Sequence, residues 1–147
     1  MRLLIILIGA CFLAGCASVP MADPMADINA KQFTTVPDKA NIYICRGAGM
    51  GTALLFQTVV DGRIIGGLAP QTYQLITVSP GEHTIAMTGS ENEQQIQIMA
   101  EANTNYFFKV SVHMGVLAGR VHIEQVSEKD GKQDVRDADR AQTTVYQ

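Results

Sequence analysis

Apolar and polar residues alternate with a period of two along most of the chain after residue 40. In "QQIQIMAE", Ile96 and Ile98 share one face and Gln95 and Gln97 the other. In "NYFFKVSVHM", Phe108, Val110, Val112 and Met114 stand opposite Phe107, Lys109, Ser111 and His113. Successive side chains leave a strand on opposite sides, so this alternation marks strands with two distinct faces. The pattern predicts strands at 41–46, 54–60, 63–68, 72–78, 83–88, 94–100, 105–114 and 119–126. Asp61-Gly62 is a strong hairpin signal, because both central positions of the tight turn take positive φ; Asp or Asn tolerates this and Gly adopts it freely. Asparagine at 61 is therefore expected to serve as well as aspartate. Ser79-Pro80-Gly81-Glu82 reads as a type II turn, with proline presetting φ and a permissive glycine after it. Short strands at this spacing predict an all-β fold, an antiparallel β-sandwich of about seven or eight strands over residues 39–128.

The flanks lack that period. Residues 17–38, "ASVPMADPMADINAKQFTTVPD", contain three prolines and a Met-Ala-Asp echo too short to be a structural repeat. They read as a flexible tether that, extended, would reach on the order of tens of Å and hold the domain clear of its anchor. The tail at 129–147 is polar, and only "KQDVRDADRA" has the makings of a short helix.

At the start, a lone basic residue, Arg2, precedes an apolar run from Leu3 to Ala14. Twelve residues at about 1.5 Å each cover roughly 18 Å, short of the roughly 30 Å hydrocarbon core. The run therefore reads as the apolar region of a secretory signal. Leu13-Ala14-Gly15-Cys16 then matches a lipobox, with a branched apolar residue and two small ones before cysteine. Small residues let a peptidase reach extended backbone, and a thiol accepts a diacylglyceryl group as a thioether. Ile8-Gly9-Ala10-Cys11 has similar chemistry, but it leaves only Leu3 to Leu7 ahead of it. That is too short. Cleavage is expected between Gly15 and Cys16, removing residues 1–15 as a lipoprotein signal peptide and leaving Cys16 as the lipid attachment.

Removing the signal leaves 132 of 147 residues, with ten basic and 14 acidic side chains. No basic run exists to hold nucleic acid or an anionic surface, so membrane attachment would rest on the lipid of Cys16. One acyl chain anchors a protein marginally, and two or more hold it firmly. Ala17 in second place, where Asp is absent, favours the outer membrane under the sorting rule for Gram-negative lipoproteins. The one cysteine besides the anchor would be Cys45, so no intramolecular disulfide can form once Cys16 is acylated. Cys45 lies on the face away from Ile42 and Ile44 and reads as a small buried hydrophobe.

The segments "AKQF…P", "ANIYICR", "VVDGRIIG", "VSPGEHTI", "NYFFKV" and "GVLAGRVHIEQVSEKDG" follow one another in that order. With these motifs the chain resembles, from the lipobox to about residue 140, a bacterial lipoprotein family carrying the domain of unknown function 2846. Its centre, "VVDGRIIGGLAPQTYQLITVSPGEHTI", also resembles the PEGA-type β-module of surface proteins. The resemblance implies a lipid-anchored envelope protein. The chain departs from it at Cys45, where the family commonly carries an aromatic residue. No catalytic residues are established for the family, so none is carried over.

Candidate chemistry must come from the residues themselves. "CRGAGMGTALL" is rich in glycine after a strand, but it lacks the Walker lysine and does not fit G-x-G-x-x-G. It reads as a flexible hairpin loop. His113 and His122 would face each other if the strands around 115–119 pair, yet two histidines make an incomplete metal site. His83 reads as a hydrogen-bonded residue at the end of the sandwich. No cofactor or metal is implied. The expectation is a non-enzymatic lipoprotein on the periplasmic face of the outer membrane, whose sandwich binds or spaces an envelope protein or cell-wall component. The alternative is a lipid-anchored hydrolase or metal-dependent enzyme using His83 or the His113/His122 pair. A pocket joining a histidine to a carboxylate such as Glu82 or Glu124 would favour that alternative.

Overall fold

The computed structural model describes residues 18–144. Eight strands fall within two residues of the positions that alternation assigns: β1 (Ala40–Arg46), β2 (Phe56–Val60), β3 (Arg63–Leu68), β4 (Thr72–Val78), β5 (Gly81–Thr88), β6 (Glu93–Ala100), β7 (Thr104–Met114) and β8 (Gly119–Gln125). Two helices, α1 (Pro24–Ala30) and α2 (Glu128–Arg136), and a two-residue β9 (Asp139–Arg140) complete the described chain. The strands form two sheets, ordered β8-β7-β1-β4-β9 and β3-β2-β5-β6. This is the expected all-β sandwich, with two departures from antiparallel pairing. β1 runs parallel to β7, Arg46 beside Val110, and β4 runs parallel to β9. A pairing between strands so distant in sequence leaves no local signal.

Between the sheets lies a core built from Ile42, Ile44, Phe56, Leu68, Ile85, Met87, Phe108 and Val110, among others. Ile98 is buried and Gln97 exposed, as the alternation of β6 requires. A second core lies on the outer face of the five-stranded sheet, where Tyr43, Cys45, Tyr73 and Phe107 meet Ala30, Phe33, Val135 and Ala138. With apolar groups on both faces, β1 is buried at every position.

That second core overturns the tether expectation for residues 19–38. Asp23 caps α1 by accepting the Met25 N–H at 2.8 Å, and Pro24 presets the first turn. The helix is then tied down. Tyr43 Oη donates to the Ala30 carbonyl at 3.0 Å, Tyr73 Oη to Asp27 Oδ1 at 2.7 Å, and Arg140 to the Ala26 carbonyl at 3.0 Å. Burial works against the Asp27 charge, but the hydrogen bonds from Lys31 and Tyr73 outweigh it and hold its carboxyl below the usual range. Upstream, Met21 bridges Ala141, and the Gln142 N–H donates to the Pro20 carbonyl at 2.8 Å. The polar tail is equally engaged. Ser127 caps α2, and Gly131 lies so close to Phe107 that a methyl group there would collide with it.

Asp61-Gly62 closes the β2–β3 hairpin as expected, with φ of 48° and 77°. The glycine-rich loop after β1, read as a hairpin, does not join paired strands, and neither does the Ser79-Pro80-Gly81-Glu82 turn. The Ser79-Pro80-Gly81 connection and the glycine-rich loop after β1 each carry the chain from the five-stranded sheet to the four-stranded one. The strand directions place the loops at 47–55, 89–92 and 115–118 at one end, called upper, and those at 61–62 and 79–80 at the lower end.

Candidate functional site

At the lower end, His83 joins the two connections. Its Nδ1 is 2.7 Å from Asp61 Oδ2 and its Nε2 is 2.7 Å from the Ser79 carbonyl. Both partners are acceptors, so the doubly donating imidazolium satisfies the arrangement. Burial alone would lower the pKa, but the hydrogen bonds to Asp61 and Ser79 and the Asp61 charge raise it above the ordinary histidine value. Asp61 Oδ1 also accepts the Thr84 N–H at 2.8 Å. The aspartate is thus more than a turn former, and these two contacts predict that asparagine at this position would not be equivalent.

His113 and His122 do come together, with ring centroids 5.0 Å apart and nearly perpendicular planes. The β7–β8 register sets them diagonally, since Ser111 faces His122 and His113 faces Arg120. Among the described residues, no group of three His, Cys, Asp or Glu side chains could hold a metal ion. None of the five clefts described among these residues joins a histidine to Glu82 or Glu124 in its lining. A cleft of about 490 Å³ at the upper end is lined instead by Arg46, Gln71, Lys109, Asp134 and Asp137, with the glycine loop. His113 borders an apolar hollow of about 360 Å³ whose lining residues include no carboxylate.

Arg46 was not singled out by the motifs, yet it organises the upper end. It is 2% exposed, and its guanidinium donates to the carbonyls of Leu54 and Gly51 at 2.7 Å each and of Leu68 at 3.3 Å. It also stacks over the Phe56 ring at 4.5 Å. The glycine-rich loop therefore turns carbonyls toward a cation. A phosphate cradle needs the opposite polarity, with amides converging. The signal was present in the alternation: Arg46 has the parity of Ile42 and Ile44, so a charge falls on the core face.

Glu91 organises the neighbouring loop. Its carboxylate accepts the N–H groups of Val116, Leu117 and Ala118, with 2.5 Å to Leu117. These amides, before all else, hold the Glu91 carboxyl below the usual range. The loop so fixed presents exposed apolar side chains at Val116 and Leu117, with Met50 and Met114 nearby. Cys45, in contrast, is buried and unreactive in setting: burial pushes its thiol up to about 12. Gly15, Cys16 and the apolar run before them lie outside the described residues. Among the described residues, no helix is long and apolar enough to cross a membrane.

Comparison with known proteins adds a family and one relative. The family model described as protein of unknown function DUF2846 matches residues 37–126, which run from just before β1 to just past β8. An uncharacterized protein of Haemophilus influenzae is 36% identical over 128 residues, covering 86% of this chain and 76% of that protein. No solved structure matches.

Proposed function

The chain belongs to the DUF2846 family, and from that premise we propose that it is a non-enzymatic lipoprotein of the bacterial envelope, anchored through Cys16. The observation that carries this reading is the lipobox Leu13-Ala14-Gly15-Cys16 placed directly after an apolar run too short to span a bilayer. Cleavage before Cys16 removes the signal, and Ala17 in second place directs the product to the periplasmic face of the outer membrane. The sandwich then binds or spaces an envelope protein or cell-wall component. Support for a scaffolding role comes from the interior: both faces of the five-stranded sheet are packed, and His83 is committed to tying two connections together. The PEGA-type likeness of residues 59–85 points the same way. Cys16→Ser is the test. The serine hydroxyl cannot form the thioether, so the variant should keep its signal, take up no labelled palmitate and leave the outer-membrane fraction. A variant that is still cleaved and acylated would refute the anchor. Crosslinking in intact envelopes, followed by capture of the wild-type chain, would identify the component it binds.

A further inference from the structure

We propose that the upper end of the sandwich lies against the lipid bilayer, with the apolar tips at Met50, Val116 and Leu117 entering it beside acylated Cys16. The proposal rests on the reading of Cys16 as the anchor, and goes beyond it by fixing how the domain sits. Leu117 is 94% exposed, Val116 87% and Met50 61%. They share the lining of one apolar hollow with Leu54 and Val112. Large apolar side chains gathered in one exposed place mark a contact surface, because water is a poor solvent for them.

The course of the chain identifies what covers them. Val19 packs on β3 at the upper end: a methyl group on Gly67 would meet Val19 Cγ1 at 3.0 Å and Leu55 Cδ2 at 3.4 Å. Leu55 in turn adjoins Leu54 of the hollow. Only three residue steps separate Val19 from Cys16, a reach of roughly 11 Å when fully extended. An acyl chain on Cys16 therefore leaves from the end that carries the apolar tips, on a leash too short to lift that end far from the bilayer.

Two further features suit a lipid occupant. Residues 47–55 and 114–119 contain no charged side chain, so nothing in either loop demands an ionic partner or resists entry into hydrocarbon. Backbone N–H groups carried into hydrocarbon without partners are costly. Glu91 meets that requirement in advance by accepting from Val116, Leu117 and Ala118. The tip is thus presented with its amides already paired.

The chain contains no tryptophan, so one substitution supplies a unique fluorophore. Leu117→Trp and Met50→Trp would be expressed as full chains, purified from membranes and reconstituted into vesicles of phosphatidylethanolamine and phosphatidylglycerol doped with dibrominated phosphatidylcholine. Met99→Trp, at an exposed position toward the lower end, is the control. Intact mass and flotation would establish acylation of each variant. Emission from Leu117→Trp and Met50→Trp should shift to shorter wavelength and lose most of its intensity to the bromines, while Met99→Trp keeps a water-like, unquenched spectrum. Acylated, floating protein in which position 117 behaves like position 99 overturns the proposal and leaves the anchor standing. Unacylated protein that does not float overturns the anchor reading, and this proposal with it. A concentration-dependent blue shift without lipid would mean that a second copy covers the tips. A shift in native envelopes that lipid vesicles fail to reproduce would mean that another protein does. Either result overturns the proposal.

Discussion

Arg46 sits where the alternation of β1 puts a core residue, in line with Ala40, Ile42 and Ile44. A charge there is tolerated because three carbonyls and an aromatic face surround it. Arg46→Met keeps much of the volume and removes the desolvated charge, but it strands the carbonyls of Gly51, Leu54 and Leu68. The expected loss is about 3 kcal/mol, read from thermal or urea unfolding, since each buried unpaired acceptor costs on the order of 1–3 kcal/mol. An unchanged midpoint would show that the loop does not depend on the arginine. His83 gives a pH signature. Its folded-state pKa is raised, so its contribution is full below the unfolded value of about 6.5 and is lost as pH rises through the folded value. The gap in melting temperature between wild type and His83→Gln should therefore be widest near pH 6 and shrink toward pH 9, where about neutral imidazole prevails in both states. A gap that does not change with pH would mean that the imidazolium contributes nothing.

At the scale of elements, the Asp61-Gly62 turn is the part that local sequence specifies most fully. Gly62 has a φ of 77° and no atom within 4 Å of the place a Cβ would take, so the penalty for a side chain there is conformational. Gly62→Val should cost about 1–2 kcal/mol. Asp61→Asn should also destabilise, by about 1 kcal/mol, because the amide no longer pairs with the imidazolium of His83; calorimetry of both variants checks the two effects together. The strands were legible because residues such as Ile96, Ile98, Phe108 and Val110 repeat with the strand period, which is a local property. Their division between two sheets was not. Pro80-Gly81 looks the same in sequence whether it closes a hairpin or carries the chain to the opposite sheet. Helix α1 was missed: Asp23-Pro24 is a cap followed by a first-turn proline, but the segment reads as a tether because a seven-residue helix has little stability of its own. It forms because Tyr43, Tyr73 and Phe107 offer it a face, and those residues belong to strands far along the chain.

For the whole molecule, folding from Val19 onward limits what an anchor at the proposed site, Cys16, could do. A segment read as a long tether becomes part of the second core, and Ala17 and Ser18 are what separates Cys16 from packed structure. The proposed anchor rests on local sequence alone, because a lipobox is a string of adjacent residues that a peptidase reads in extended form. The apolar upper end was not, since Met50 and Leu117 become neighbours only when β1 and β7 pair. Mass analysis of the N-terminal peptide from protein extracted from membranes tests the central claim most directly. The account predicts a peptide that begins at Cys16 and carries diacylglyceryl on its sulfur. A peptide that begins upstream of Cys16, or one that begins at Cys16 with a free thiol, would contradict it.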